Sequence, residues 1–174
     1  MSPAELLPID RYLWTLGIIY KEGKQLIYSW NQLFGNDKVD QSWVDSLVDA
    51  PDEAVQLEAF VSRYGRMQDS MADKLIPRWL QTLAEQPASQ IENLNRAERL
   101  GVIESTERWL AARKLRNQLI HEYMTDSRLF YEALLSARDA SQMLLTSYDS
   151  IRSYSIEKSG MSIDGLPPVL LDSP

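Results

Sequence analysis

The chain has 174 residues, and its 18 lysine and arginine residues against 25 aspartate and glutamate residues give a net charge of −7. Hydrophobic residues make up 44% of the sequence and charged residues 25%, which is typical of a globular domain with one core. The acidic balance excludes broad binding of nucleic acid through overall charge, although it leaves room for a local basic site.

The missing residue types exclude several kinds of catalytic and metal site. There is no cysteine, which excludes disulfides, thiolate nucleophiles and cysteine-bound zinc. The single histidine, His121, cannot hold a metal together with a second histidine of the same chain. The seven glycines form neither a P-loop nor a dinucleotide fingerprint. We therefore expect no metal site and no cofactor.

No segment has the features of a targeting or membrane-spanning sequence. The N-terminal residues lack a charged region followed by an apolar stretch, so no signal peptide is predicted. No run of about 18 apolar residues is present to span a bilayer. We expect a cytoplasmic protein without membrane contact.

The first predicted element is a long helix over residues 9–34, followed by a short helix. Apolar positions in this range alternate four and three residues apart, which is the spacing of one helix face, and Gly35 supplies the end. Asp40 is the predicted N-cap of the short helix. The predicted inward stripe of the long helix is Ile9, Leu13, Leu16, Tyr20, Gly23, Ile27, Trp30 and Phe34.

The next predicted element is a second long helix that begins at Pro51 and runs toward Leu83. Proline is favoured in a first helical turn, and the acidic residues that follow it suit the positive end of the helix dipole. Pro77 lies inside the helix and predicts a kink, because the apolar stripe continues past it. That stripe is Phe60, Tyr64, Met67, Met71, Leu75 and Trp79.

Three further helices are predicted before the C-terminal segment. A shorter one covers residues 89–100, and Ser105 caps the next. The last helix begins near Asp126 and ends at Gly160. Its predicted stripe is Phe130, Leu134, Ala137, Ser141, Leu144, Tyr148 and Ile151.

These elements predict an all-α, up-and-down bundle of four main helices with one or two short ones. Residues 1–160 form the single predicted domain. Residues 161–174 contain Gly165 and the three prolines Pro167, Pro168 and Pro174, and we expect a flexible tail without a core of its own.

The segment from Arg108 to His121 reverses the charge of the rest of the chain, because it contains four basic residues and no acidic one. On a helix, Arg113, Asn117 and His121 share one face, and Lys114 lies beside them. A neutral imidazole can accept a proton, and neighbouring cations can hold a phosphate. A solvated basic face with a surface histidine fits the same pattern, so spacing alone leaves both interpretations open.

Residues 115–123 read Leu-Arg-Asn-Gln-Leu-Ile-His-Glu-Tyr. This run resembles the Arg-x4-His-x-Tyr signature of the HEPN superfamily, and more narrowly that of HepT-type toxins, which pair with minimal nucleotidyltransferases. Residues 63–75 and 94–101 are also similar to that family. The resemblance extends over residues 55–125, whereas the first helix and the C-terminal segment match only in kind.

The resemblance implies a HEPN-like bundle that acts as a toxin and cleaves RNA without a metal. RNA carries a 2′-hydroxyl beside each phosphodiester, and a general base that removes its proton lets the oxygen attack phosphorus. His121 would be the base or acid, and Arg116 would bind the phosphate oxygens. Asn117 would orient the imidazole or bind the substrate. Arg113 and Lys114 would bind RNA, and no DNA substrate is expected.

The spacing of Arg116 and His121 limits what one chain can do. Five helical steps at about 100° each place them about 140° apart, so they do not share a face. Either the helix ends or distorts near His121, or a second chain completes the site. The resemblance favours the second chain, because HEPN proteins place two copies of the motif across a shared cleft. We therefore expect a homodimer.

Tyr123 has two interpretations. An aromatic residue at a helix end can simply pack on Phe130 or Ile120. The resemblance instead implies that a partner nucleotidyltransferase, the antitoxin, adenylylates Tyr123. The added phosphate and base would then exclude RNA by repulsion and crowding.

Two other functions fit the sequence. The chain could be a non-catalytic docking or substrate-binding subunit of a minimal nucleotidyltransferase, or a purely structural dimeric bundle. The complete Arg-Asn-x3-His-x-Tyr pattern favours the ribonuclease, because a scaffold has no need for this combination of residues.

Overall fold

Local sequence signals predict helices throughout the chain. The computed structural model describes residues 2–171, and these residues form helices and the turns between them. No described residue lies in a strand. The α-helices are α1 Pro8–Phe34, α2 Gln41–Asp45, α3 Pro51–Ser70, α4 Ile76–Thr82, α5 Gln90–Arg99, α6 Thr106–Glu122 and α7 Ser127–Glu157. Short 3-10 turns cover Pro3–Glu5, Leu47–Asp49 and Ile163–Gly165. The predicted all-α helical bundle is confirmed.

The helix starts follow the predicted capping residues. The Asp40 carboxylate accepts the Trp43 amide at 2.7 Å, and the Ser105 hydroxyl accepts the Arg108 amide at 3.2 Å. The Asp126 carboxylate caps α7 in the same way. Each cap satisfies an amide that the first turn of a helix leaves without an internal partner.

The buried face of α1 is rotated relative to the predicted stripe. Ile9 is exposed, and Leu13 and Ile27 are only half-buried. The fully buried apolar side chains are Tyr12, Leu16, Ile19, Leu26 and Leu33. The physical reason is that α1 packs against α3, α4 and α7 together, and part of its buried sector is polar. The Tyr12 hydroxyl, for example, lies 2.6 Å from the Ser155 hydroxyl, so an apolar pattern does not reveal it.

The irregularity predicted at Pro77 lies just before the proline, as a π-helical segment over Met71–Leu75 between α3 and α4. There the Ile76 amide bonds to the Met71 carbonyl, five residues earlier. Proline has no N–H that could bond a carbonyl of the preceding turn. The π-helical turn is wider than an α-helical one and shifts those carbonyls. The predicted stripe continues through it, and all six side chains are fully buried: Phe60, Tyr64, Met67, Met71, Leu75 and Trp79.

The segment after α7 differs from the flexible tail predicted for residues 161–174. The Tyr148 hydroxyl donates to the Pro168 carbonyl at 2.9 Å. The Asp149 carboxylate accepts the Leu170 amide at 2.8 Å. These bonds tie the segment to α7, so the domain does not end at residue 160.

The side chain of Leu170 packs this segment against α1. It lies against Gly23, where an added Cβ would overlap the Leu170 methyl carbon. The glycine thus provides the space in which the leucine packs. Residues of the 161–171 segment thus contact both α7 and α1, and residues 172–174 lie outside the described part of the chain.

No helix within residues 2–171 is both long enough and apolar enough to cross a membrane.

Candidate functional site

Helix α6 carries all the predicted site residues except Tyr123, which follows its last residue. The sequence predicts Trp109, Ala112, Leu115 and Leu119 on its inward side; Trp109, Ala112 and Leu119 are buried, and Leu115 is only half-buried. The Tyr64 hydroxyl of α3 donates to the Ala112 carbonyl at 2.7 Å. This packing determines which side chains of α6 face solvent.

The outer face of α6 consists of Arg113, Lys114, Asn117 and His121, and all four side chains are exposed. Arg113 donates to the Gln90 amide oxygen of α5 at 2.7 Å. Among the described residues, none of the four side chains forms a salt bridge. Two cations, an amide and the imidazole are therefore presented together without a carboxylate that neutralises them.

Arg116 points to a different side of α6, over α3. Its guanidinium Nη1 lies 2.7 Å from Oδ2 of Asp69, and the two side chains are 47% and 43% exposed. The arginine crosses α3 at Gly65, where an added Cβ would lie 2.9 Å from its Cδ and Nε. Gly65 and Asp69, one helical turn apart, thus form a seat for Arg116. An ion pair this exposed stabilises the fold by at most about 1 kcal/mol.

The sequence interpretation did not find this seat. From the sequence, Asp69 is expected to pair with Arg66 or Lys74, whereas the structure pairs it with Arg116. A glycine inside a helix with a carboxylate one turn later is the only local signal, and it does not identify the arginine that fits there.

The structure does not bring Arg116 and His121 of one chain together. α6 stays helical through Glu122, so it neither ends nor distorts before His121. The two side chains therefore project from different sides of the helix, as the five-residue spacing predicts. α6 ends one residue beyond His121, and a site completed by a second chain stays a prediction.

Arg116 instead shares a cavity with Tyr123. This space of about 510 Å³, the α3–α6 cavity, lies between α3, α6 and the start of α7. Its apolar lining is Leu57, Val61, Leu119, Ile120 and Phe130, and its polar lining includes Glu58, Ser62, Arg66, Asp69 and Ser70. The cavity was not predicted, because its residues come from segments far apart in the sequence.

Tyr123 lies where the chain leaves α6, with φ −58° and ψ 124°. Its ring centroid is 5.4 Å from that of Phe130, so the packing expected at this helix end is confirmed. Burial raises the pKa of the Tyr123 hydroxyl, and the charge and hydrogen bonding of Glu58 raise it further. The hydroxyl is therefore protonated at neutral pH and lies next to a carboxylate.

Replacing Gly65 by alanine tests the seat of Arg116. Alanine normally stabilises a helix by about 1 kcal/mol relative to glycine. In the wild-type background we expect little or no gain, because the new Cβ meets Arg116. In an Arg116→Ala background we expect the full gain, measured by urea denaturation of the four proteins in a double-mutant cycle.

Gly17 of α1 is the matched control, since nothing lies within 4 Å of a Cβ built there. Gly17→Ala should stabilise both backgrounds equally. An equal gain from Gly65→Ala with and without Arg116 would show that the arginine does not occupy the seat.

No protein-family model, curated protein or solved structure matches this chain. Within residues 2–171 there is also no cluster of three or more histidine, cysteine, aspartate or glutamate side chains that could hold a metal ion. Any inference about function therefore rests on the residues of α6 and of the cavity beside it.

Proposed function

We propose that this protein is a metal-independent endoribonuclease, the toxin of a HepT-type toxin–antitoxin pair. The observation that carries the proposal is the outer face of α6, which presents His121 and Asn117 beside Arg113 and Lys114. An exposed imidazole can transfer protons, and cations without a bound carboxylate can hold a phosphate backbone. Those are the two requirements for cleaving RNA through its own 2′-hydroxyl.

In the proposed reaction, His121 removes the proton of the 2′-hydroxyl, and the oxygen attacks the adjacent phosphorus. The bond from phosphorus to the 5′ oxygen breaks, which leaves a 2′,3′-cyclic phosphate and a 5′-hydroxyl. The proton on the 5′ oxygen comes from the second histidine of a dimer. Arg116 binds the phosphate oxygens as negative charge develops on them, and Asn117 orients the imidazole or the substrate.

The proposed site forms between two copies of the chain, because one chain separates Arg116 from His121. The surface near the imidazole supports an interface there. Ile120 and Met124, at the same end of α6, are each 57% exposed. Apolar side chains left in water at this position would gain stability if a second copy covered them.

We further propose that a partner nucleotidyltransferase adenylylates Tyr123 and so neutralises the toxin. The position of Tyr123 supports this, because its side chain lines the α3–α6 cavity together with Arg116. A phosphate attached to the tyrosine would lie near the guanidinium that the reaction needs. Modification and RNA binding would then compete for the same cation.

Induced expression in bacterial cells tests the proposed toxin. The wild-type chain is expected to stop growth, and His121→Ala at a matched protein level is expected to be harmless. Gln118→Ala, an exposed neighbour on α6, is the control and should stop growth as the wild type does. If the wild-type chain is harmless, the ribonuclease proposal loses its main support.

A second candidate function is a non-catalytic docking and substrate-binding subunit of a minimal nucleotidyltransferase. Tyr123 favours it, since modification of this hydroxyl requires only the cavity beside it and no second copy near His121. This function predicts that the wild-type chain is modified on Tyr123 and leaves cells unharmed.

A further inference from the structure

The α3–α6 cavity has the size and walls of a binding site for a small aromatic ligand. Its volume of about 510 Å³ lies in the range of small-molecule sites. Leu57, Val61 and Leu119 form apolar walls, and Phe130 lies at one end with the Tyr123 ring. A flat heterocyclic base would bury its faces against such walls, as bases do on aromatic side chains.

The rim of the cavity provides the cations that a phosphate requires. Arg66 and Arg116 both line it. Asp69 is the only ion-pair partner of Arg116 among the described residues, and the pair is accessible to water. A phosphate can therefore compete with the carboxylate, because it can accept two hydrogen bonds from the guanidinium, whereas Asp69 accepts one, from Nη1. Gly65 keeps the arginine along α3, so its guanidinium stays at the rim during the exchange.

The opposite part of the cavity offers a carboxylate acceptor. Glu58 lines the cavity together with Tyr123, and its negative charge helps to raise the pKa of the Tyr123 hydroxyl. A carboxylate has several acceptor positions, so it can still bind an amino group. Adenine, cytosine and guanine carry an amino group that donates to a carboxylate, and uracil carries none.

We infer that the α3–α6 cavity binds one ribonucleotide of the substrate RNA, with its phosphate on Arg116 in place of Asp69 and its base against the apolar walls. The inference deepens the proposed ribonuclease function and rests on it for the identity of the substrate. In this site Glu58 favours bases that carry an amino group, and Asp69 competes with the phosphate for Arg116.

Binding of free mononucleotides to the full chain tests the inference without any cleavage step. We expect AMP to bind at millimolar concentration, more tightly than UMP and more tightly than inorganic phosphate, by titration calorimetry or ligand-observed NMR. Asp69→Asn should tighten AMP binding several-fold, because the competing carboxylate is removed. Glu58→Gln should reduce the difference between AMP and UMP.

Filling the cavity provides the decisive variant. Val61→Phe should weaken AMP binding at least tenfold, whereas Val55→Phe, on the same helix at a position 64% exposed and outside the cavity, should not. Circular dichroism checks that both proteins fold. If Val61→Phe does not fold, Ser62→Trp at the same cavity provides the test.

The possible outcomes separate this inference from the proposed function. No AMP binding to wild type or to Asp69→Asn, or binding that Val61→Phe leaves unchanged, overturns the cavity as a nucleotide site, and RNA cleavage can still occur. Equal binding of inorganic phosphate and AMP overturns the role of the apolar walls. AMP binding by a chain that cleaves no RNA supports the nucleotide site and contradicts the ribonuclease.

Discussion

A large excess of the His121→Ala chain is expected to suppress RNA cleavage by the wild-type chain. By itself, His121→Ala should cleave RNA about 10² to 10⁴ times more slowly, which is the usual contribution of a positioned general acid or base. In a mixture, subunit exchange would pair each wild-type chain with an inactive one. If one cleft needs the imidazoles of both copies, these mixed dimers are inactive.

The measurement is the initial rate of cleavage of a labelled RNA at constant wild-type concentration and increasing variant concentration. The same excess of Gln118→Ala serves as the control and should increase the rate, because that exposed side chain has no proposed role. A rate that stays constant as His121→Ala is added would mean that each chain contains a complete site. Such a result would contradict the proposed site between two copies, which is based on Arg116 and His121 projecting from different sides of α6.

Replacing Trp79 by alanine is expected to have the largest effect on stability. Trp79 is fully buried on α4, and its ring meets that of Tyr154 edge-on, with centroids 5.2 Å apart. Removing a buried tryptophan side chain costs about 3–5 kcal/mol through lost transfer energy and the cavity that remains. The free energy of unfolding of a native protein is usually about 5–15 kcal/mol, so this loss is a large part of it.

Trp14→Ala is the matched control, because Trp14 is 47% exposed on α1. Urea denaturation should show a much lower midpoint for Trp79→Ala and a nearly unchanged one for Trp14→Ala. Similar losses from the two substitutions would contradict the assignment of Trp79 to the core. Trp79→Phe should be tolerated better, since the indole N–H of Trp79 has no hydrogen-bond partner among the described residues.

The elements that could be predicted are those with local causes. A capping side chain such as that of Asp40 or Ser105 accepts a hydrogen bond from an amide three residues further along. A few neighbouring residues therefore determine where a helix starts. The stripes of α3, α4 and α7 could be predicted because each of these helices has an inward face made mainly of apolar residues. The buried face of α1 could not, because it includes Thr15 and Ser29, whose hydroxyls have partners within the bundle.

The candidate site divides in the same way. The common face of Arg113, Asn117 and His121 follows from their spacing of four residues on one helix. The ion pair of Arg116 with Asp69 joins residues that are 47 positions apart, and no local pattern indicates such a partner. The C-terminal segment is a similar case, since its attachment depends on the space that Gly23 leaves on α1.

The sequence by itself determined the helices of this protein, their caps and the basic outer face of α6, because each depends on residues within one or two helical turns. Only the tertiary structure decided where Arg116 lies, that it shares a cavity with Tyr123, and that residues 161–171 belong to the domain. The physical reason is that these features arise where helices distant in the sequence pack together, and the space left between two packed surfaces belongs to neither sequence segment alone.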